Sequence, residues 1–470
     1  MNARLQEFTR KYPVYQRTRT IEDLRSSEFA RLDAAGHVYL DYTGGGLFAE
    51  RQLAAHHQLL RTTVFGNPHS GSPTSLASTT LVERARAYVL EYFNASPDEY
   101  VTIFTPNASG AMRVVGEAFP FKPSSRYVLT FDNHNAVNGV REFARAKGAS
   151  ITYVPVVAPE LRIDEQKLKA ELELRDTSVL NLFAYPAQSN FSGAQHPFTW
   201  VEYAQARGWQ VILDAAAFVP TNRLDLSVVH PDFVPLSFYK MFGYPTGLGC
   251  LIAKKSALKS LHRPWFSGGT IEMASVQADK FQLAEGAPAF EDGTVDYLNI
   301  PAIEIGLRFL AEVGVETIHD RVQALTGWLL EELLALRHTN GRPLVEIDGP
   351  RSTEARGGTV AMNILDASGT PFPFRYVDDE AAKQNISIRT GCFCNPGAGE
   401  IAFHITREDM LSCFKVEERR SFEHCILVSR GKPAGAVRVS FGIASNFNDA
   451  ERFVDFVKTF RDGVVREAAR

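Results

Sequence analysis

Leu236-Ser237-Phe238-Tyr239-Lys240-Met241-Phe242-Gly243-Tyr244-Pro245-Thr246-Gly247-Leu248-Gly249 places one lysine between an apolar run and a glycine-rich turn, and a second apolar run, Cys250 to Ala253, follows. A lysine at such a strand-turn junction is a candidate for Schiff-base chemistry. Partial burial penalises the ammonium form and releases a neutral amine that can attack a carbonyl. A single lysine in a turn is more often simply solvated, so the rest of the chain has to supply its partners.

The surrounding pattern is one of alternation. From about residue 75, β-like apolar runs alternate with helix-like segments, the mark of α/β layering around a largely parallel sheet. Leu81 to Phe93 reads as an amphipathic helix, Val101 to Thr105 as a strand, Tyr127 to Thr130 as a strand and Val137 to Lys147 as a helix that Gly148 stops. Ile151 to Val157, Val179 to Ala184 and Val211 to Leu213 read as further strands, the last ending at Asp214. In open α/β sheets the ligand crevice lies outside the carboxyl ends of the strands, which is where these polar residues fall. Beyond about residue 297 the pattern changes to two long helices, Leu298 to Val313 and Thr317 to Leu336. Strands at Gly358 to Ile364, Ile386 to Arg389 and Val437 to Phe441 follow, with a last helix from Asp449 to Arg461. The reading is a large domain over 41–300 and a smaller C-terminal α+β domain over 301–470 that carries a cysteine loop at 389–400. Residues 1–40 are expected to pack on the small domain.

At 470 residues the chain is too long for one small core, and 45% hydrophobic with 22% charged residues is ordinary for a folded globular protein. A net charge of −4 gives no basic footprint for nucleic acid, and no polybasic run points to a membrane surface. No apolar run approaches the roughly 20 residues that span a bilayer. The first ten residues, Met1 to Arg10, lack the apolar core of a secretory signal. Five cysteines are too few and too scattered for a disulfide framework, so the expected compartment is the reducing cytoplasm.

Four features join the lysine, each a separate requirement of a phosphorylated aromatic aldehyde such as pyridoxal 5′-phosphate. Thr105-Pro106-Asn107-Ala108-Ser109-Gly110 lies between a strand and a helix, so its backbone N–H groups can bind a phosphate. Asp214, at a strand end, can pair with a protonated ring nitrogen and keep the pyridine an electron sink. His134 can stack on a ring or shuttle a proton, and Asn190 can hydrogen-bond a ring hydroxyl or simply make a turn. Ser237, three residues before Lys240, can add a hydroxyl to the phosphate.

In their order and spacing these residues resemble the class V aminotransferase and cysteine desulfurase group of fold type I pyridoxal-phosphate enzymes, over nearly the whole chain. Within that group the sequence looks most like the N-terminal sulfurase domain of molybdenum cofactor sulfurases. The matching segments are Ser237-Phe238-Tyr239-Lys240 with Pro245-Thr246-Gly247-Leu248-Gly249, Phe183 to Gly193, and Arg389-Thr390-Gly391-Cys392-Phe393-Cys394-Asn395-Pro396-Gly397. The resemblance implies an α/β fold type I transferase: a mainly parallel seven-stranded sheet flanked by helices, plus a smaller C-terminal α+β domain. It implies pyridoxal 5′-phosphate as cofactor, Lys240 as the Schiff-base lysine, Asp214 on the ring nitrogen, His134 stacked on the ring and Asn190 near the ring hydroxyl. Ala108 and Ser109 backbone groups and the Ser237 hydroxyl would hold the phosphate. Thr270, in Ser267-Gly268-Gly269-Thr270, resembles a residue that reaches the phosphate across a dimer interface, so a homodimer is implied.

In similar desulfurases a cysteine on a mobile loop attacks the sulfur of the bound substrate cysteine, leaving a persulfide and releasing alanine. By its spacing from Arg389, Cys394 matches that cysteine. Attack on sulfur needs the thiolate, which Arg389 nearby would favour, and Asn395-Pro396-Gly397-Ala398-Gly399 has the composition of a mobile loop. Arg438 matches the arginine that forks onto the substrate α-carboxylate, a geometry a lysine serves less well. A lone Cys-x-Cys lacks the second ligand pair of a zinc site, so no metal is expected. Cys250 reads as strand core, and Cys413 and Cys425 as incidental. Two departures stand out: Tyr239 and Ala217 occupy positions where many desulfurases have histidine and glutamine. Gln188 is a substitute candidate near the ring hydroxyl. The sequence ends at Arg470 without the C-terminal domain by which full-length molybdenum cofactor sulfurases bind that cofactor, leaving a sulfur-acceptor protein unidentified. The leading expectation is desulfuration of an amino-acid substrate, L-cysteine. The alternatives are a carbon–sulfur lyase, epimerase or aminotransferase in which Cys394 is dispensable, and a non-catalytic scaffold.

Overall fold

The computed structural model describes residues 3–68, 70–415, 425–426 and 434–465. The outer ends of the expected first and last segments, 1–2 and 466–470, thus lie outside the described residues. Seven strands make the central sheet: β1 (Tyr100–Thr105), β2 (Arg126–Thr130), β3 (Ser150–Val154), β4 (Asn181–Pro186), β5 (Trp209–Asp214), β6 (Phe233–Ser237) and β7 (Gly249–Lys254). Their order is β1-β7-β6-β5-β4-β2-β3, and only β7 runs antiparallel to its neighbours. β4 and β6 are buried along their whole length. Alternate residues of the same strands enter two separate cores. Ile103, Leu129, Ala184, Ile212 and Leu251 face one way, and Phe104, Val128, Phe183, Leu213 and Ile252 the other. A sheet covered on both faces has near-continuous apolar strands, which is why β4 and β5 were legible without an alternating pattern.

Element boundaries differ from expectation where capping chemistry overrides the apolar pattern. The helix expected from Leu81 begins at Pro73, because the Ser72 hydroxyl accepts from Ser75 N–H and Pro73 is the first helical residue. The expected 137–147 helix is two, Asn135–Asn138 and Val140–Ala146, meeting at Gly139. The expected strand 386–389 also divides. Ile386–Ser387 pairs in parallel with Val38–Tyr39, while Arg389–Gly391 joins a second sheet.

That second sheet is antiparallel and contains β8 (Val345–Ile347), β9 (Thr359–Ile364), β10 (Arg389–Gly391) and β11 (Ala436–Ser440) in the order β8-β9-β11-β10. Helices Pro301–Val313 and Val315–Ala335 precede it, and the Phe447–Lys458 helix follows it. The first residues run alongside these elements. Phe8 stacks on Phe447 with ring centroids 4.6 Å apart, and the buried Arg25 pairs with Asp449 at 2.6 Å. Residues 38–41 then lie against the small sheet: Leu40 N–H donates to Ser387 O, and Ser440 N–H to Leu40 O. Cys413 and Cys425, expected to be incidental, are joined in a disulfide, their Cα atoms 5.7 Å apart. Among the described residues no helix is long and apolar enough to cross a membrane.

Candidate active site

The carboxyl ends of β1, β2, β4, β5 and β6 deliver Asn107, His134, Gln188, Asp214 and Lys240 to one pocket, whose wall also includes Ala108, Ser109, Asn190, Ser237 and Tyr239. The sequence expectation of a ligand crevice at these ends is met by geometry. Lys240 sits in the five-residue helix Phe238–Phe242 that directly follows β6. Burial, with the positive Arg438 adding to it and Asp214 opposing it, holds its amine below the ordinary lysine range. No hydrogen bond to the Lys240 amine is found among the described residues.

The turn around Lys240 is clamped from the N-terminal side. Gly46 N–H donates to Tyr239 O at 2.9 Å. Gly243 (φ +77°) packs so closely on Leu47 and Phe48 that a Cβ there would sit 2.4 Å from Phe48 N. Gly249 stands opposite both Thr105 and Ser237, and a Cβ on it would lie 2.4 Å from Leu236 O and 2.6 Å from Asn107 Cα. Its bare backbone lets the start of the Ala108–Ala118 helix approach β6. At that helix start Asn107 caps Gly110 N–H at 3.0 Å, and Ser237 Oγ accepts from Ala108 N–H at 2.9 Å. The Ala108 N–H is thus already engaged, whereas Ser109 is exposed in the first turn.

His134 accepts the Ala136 N–H on Nδ1 at 3.0 Å, so its neutral ring carries the proton on Nε2. Burial, reinforced by Lys240, keeps it below the usual histidine range and hence neutral. Asp214 fixes one carboxylate oxygen by accepting Ala216 N–H at 3.0 Å.

Asn190 lines the pocket, and its amide also ties to the cysteine loop. Its Nδ2 donates to Phe393 O at 2.7 Å, and its Oδ1 accepts from Asn395 Nδ2 at 2.9 Å. Gln188 is likewise engaged, donating to Ala217 O at 3.1 Å and accepting from Gln195 Nε2 at 3.1 Å.

The expectation that residues 395–399 form a mobile loop is corrected. Pro396–Ala402 is a helix, because Asn395 caps it through Ala398 N–H and Pro396 stands at its first position. Asn395 is fully buried and also donates to Asp132 O at 2.7 Å. Phe393 and Cys394 both take the left-handed conformation (φ +55°), and Cys394 O accepts from Asn135 N–H at 2.8 Å. The Cys394 side chain is exposed, while burial pushes the Cys250 thiol far up.

Arg389 and Arg438 are direct partners across β10 and β11. Arg438 is buried, donates to Asn190 O at 2.9 Å and lies over the Phe393 ring at 4.7 Å. Both arginines bind Asp41: Arg438 Nη2 at 3.0 Å to Oδ1, and Arg389 Nη2 at 2.5 Å to Oδ2. Sequence reasoning missed Asp41 and Asn395. Asp41 had the signal used for Asp214, an acidic residue ending the apolar run Val38-Tyr39-Leu40 before a glycine-rich turn.

Thr270 is buried outside this pocket, its hydroxyl closing the loop onto Ser267 O at 2.8 Å. Beyond it the exposed hairpin Ile271–Ser275 and Lys280–Leu283 presents Met273, Val276 and Phe281, next to the exposed Trp265 and Phe266.

A central sheet with its site at the strand ends, followed by a small antiparallel sheet, is the architecture of the fold type I pyridoxal-phosphate enzymes. The chain belongs to the aminotransferase class-V family, which it matches over residues 38–453. Among solved structures it is similar to an apo cysteine desulfurase from Thermococcus onnurineus NA1, with TM-score 0.77 and 22% identity over 94% of this chain and 98% of that one. It is also similar to the cysteine desulfurase CsdA of Escherichia coli, with TM-score 0.71 and 20% identity, again covering 94% and 98% of the two chains. Among curated proteins it is 38% identical to the molybdenum cofactor sulfurase of Solanum lycopersicum, over 97% of this chain and 59% of that protein. Against the human molybdenum cofactor sulfurase the identity is 35%, over 93% of this chain and 51% of that protein. The chain therefore spans between half and three-fifths of the length of these two relatives.

Proposed function

We propose that the chain is a pyridoxal-phosphate-dependent cysteine desulfurase, moving sulfur from L-cysteine to Cys394 and releasing alanine. The observation that carries this reading is the tether of the cysteine loop to the pocket. Asn190, a pocket residue, holds Phe393 O, and Asn135, next to His134, holds Cys394 O. An exposed thiol is thereby fixed at the rim of a site built around a dehydrated lysine.

The residues fit the cofactor. Lys240 is an amine without a hydrogen-bond partner among the described residues, and Gly249 leaves its backbone bare where the helix start meets β6. When bound, the cofactor supplies a carbonyl for Lys240 and an electron-accepting ring. Asp214 would pair with the ring nitrogen, the Ala108–Ser109 helix start with Ser237 would hold the phosphate, and His134 would pack on the ring face. With Nδ1 occupied by Ala136, His134 serves as an Nε2 donor and not as the base. Lys240 is left to carry protons at the substrate carbon. Arg438 and Arg389 would orient the α-carboxylate. Cys394 thiolate then attacks the substrate sulfur: a sulfur–sulfur bond forms, the carbon–sulfur bond breaks with its electron pair going to carbon, and a proton on that carbon completes alanine.

The exposed hairpin and its aromatic neighbours support a homodimer that would bring the Thr270 loop of one copy to the phosphate of the other. The need for a free Cys394 thiol supports a reducing, cytoplasmic setting, although the Cys413–Cys425 pair pulls the other way. The persulfide would pass to a sulfur-acceptor protein; the names of the curated relatives give the molybdenum cofactor as what those proteins sulfurate. The division into a large domain over 41–300 and a small one over 301–470 is part of the same reading. Mass detection of one added sulfur on the 390–400 peptide after a single turnover with L-cysteine tests it. Cys394→Ala should abolish sulfur transfer while cofactor absorbance persists; undiminished transfer overturns the proposal.

A further inference from the structure

One buried carboxylate stands between the two arginines assigned to the substrate. Asp41 is 6% exposed and bonds Arg438 through one oxygen and Arg389 through the other. Its place is built. Asp41 bridges Ser440 in parallel, Thr43 N–H donates to Ser440 Oγ at 2.9 Å, and Gly44 and Gly45 N–H both return to Asp41 O. A Cβ on Gly44 would lie 2.4 Å from Asp41 Oδ2, so the bare glycine makes room for the carboxylate.

Charge counting gives this arrangement a meaning. Two guanidiniums less one carboxylate leave a net of one positive charge, the complement of one α-carboxylate. Burial disfavours the charged Arg438, and Asp41 is the partner that offsets this. Asp378, which Thr390 contacts at 3.5 Å, also acts on Arg389 through space, from outside the shared pair. Arg389 is half exposed, so without Asp41 it would present a second cationic group to anything Arg438 holds.

We propose that Asp41 is a specificity-determining residue that restricts the site to amino acids with a single carboxylate. Its carboxylate, shared between both arginines, cancels one of their two positive charges, so that a dicarboxylic amino acid meets a net of one positive charge where it needs two. The proposal rests on the reading of Arg438 and Arg389 as carboxylate-binding groups of a pyridoxal-phosphate enzyme.

The test is titration of the holoenzyme with L-alanine and L-aspartate, neither of which carries sulfur, read by the change in cofactor absorbance. In the wild type L-alanine should half-saturate at least tenfold below L-aspartate. In Asp41→Asn the half-saturating L-aspartate concentration should fall at least tenfold, with L-alanine within about threefold of wild type. The double variant Asp41→Asn/Arg389→Gln restores the net count of one and should restore the wild-type preference, which a merely structural role for Asp41 does not predict. Arg438 loses its carboxylate in both variants, so Arg389→Gln alone, in which Asp41 still pairs with Arg438 and the net count falls to zero, decides the matter if they fail to fold. Its half-saturating L-alanine concentration should rise at least tenfold, and an unchanged one overturns the proposal. Equal weakening of both amino acids in Asp41→Asn, or a double variant that still favours L-aspartate, overturns the proposal. A wild type that binds the cofactor yet responds to no amino acid overturns the functional reading itself, and this one with it.

Discussion

Asn395 and Asn190, 205 positions apart, are joined amide to amide at 2.9 Å, so the pocket wall and the cysteine loop share one hydrogen-bonded latch. Asn395 also caps the helix that follows and bonds Asp132 O. Removing a fully buried amide leaves partners on both sides unsatisfied. Asn395→Ala is expected to lower stability by about 2–3 kcal/mol in denaturant unfolding. It should also speed alkylation of Cys394 by iodoacetamide at least threefold, since the loop no longer holds one posture.

Gly249 is predicted to tolerate no side chain. A methyl group there meets Leu236 O at 2.4 Å and Asn107 Cα at 2.6 Å, both backbone. Gly249→Ala should cost about 1–3 kcal/mol and weaken cofactor retention on gel filtration more than it lowers the melting temperature of the apo protein.

The Lys240 amine, held low by burial, should react at a lower pH than a free lysine. The rate of Schiff-base formation between apo protein and pyridoxal 5′-phosphate is expected to level off below the ordinary lysine value of about 10.4. Lys240→Ala should abolish borohydride trapping altogether. Because the folded value lies below the unfolded one, the group favours the native state most at high pH. That contribution falls away as pH drops through the unfolded value and is smallest below the folded one.

Asp348 makes the opposite case. Burial, with Glu346 adding to it, pushes its carboxyl up to about 7, although Asn363 donates to it at 3.0 Å. The native state therefore holds a proton that the unfolded chain releases near pH 4. Stability is lost as pH rises from about 4 to 7 and then levels off. Asp348→Asn should thus raise the melting temperature at pH 8 by more than at pH 5, and little at pH 4.

The apolar hairpin should govern assembly. Replacing Phe281 with Asp puts a charge into an exposed patch formed with Phe266, whose ring lies 4.4 Å away. Sedimentation should show the proposed homodimer dissociating in this variant at concentrations where the wild type stays paired, with little change in the far-ultraviolet circular dichroism.

Much of this molecule was legible because its strands are buried on both faces and end in chemically conspicuous residues. Asp214 and Lys240 sit at strand ends, where apolar runs stop abruptly. The cysteine loop was misread for a physical reason. Gly397 and Gly399 suggested mobility, yet Gly397 is there because a Cβ would fall only 2.0 Å from Phe131 O, so that glycine marks tight docking. Glycine composition does not separate freedom from close approach. Asp41 was missed because its partners lie far along the chain. The Cys413–Cys425 pair escaped for a related reason: two cysteines 12 apart carry no spacing signature of their own.

The clasp between Asp41 and Arg438 spans 397 positions of the chain. During synthesis a protein grows from its N-terminus, and domains generally fold as they emerge. The lysine turn, its clamp from Gly46 and the whole central sheet are available once residue 254 has left the ribosome. Arg389, Arg438 and the Cys394 thiol arrive only with the last fifth of the chain. A nascent molecule can thus shape its lysine cradle early, while the arginine pair and the cysteine that face it come together near the end of translation.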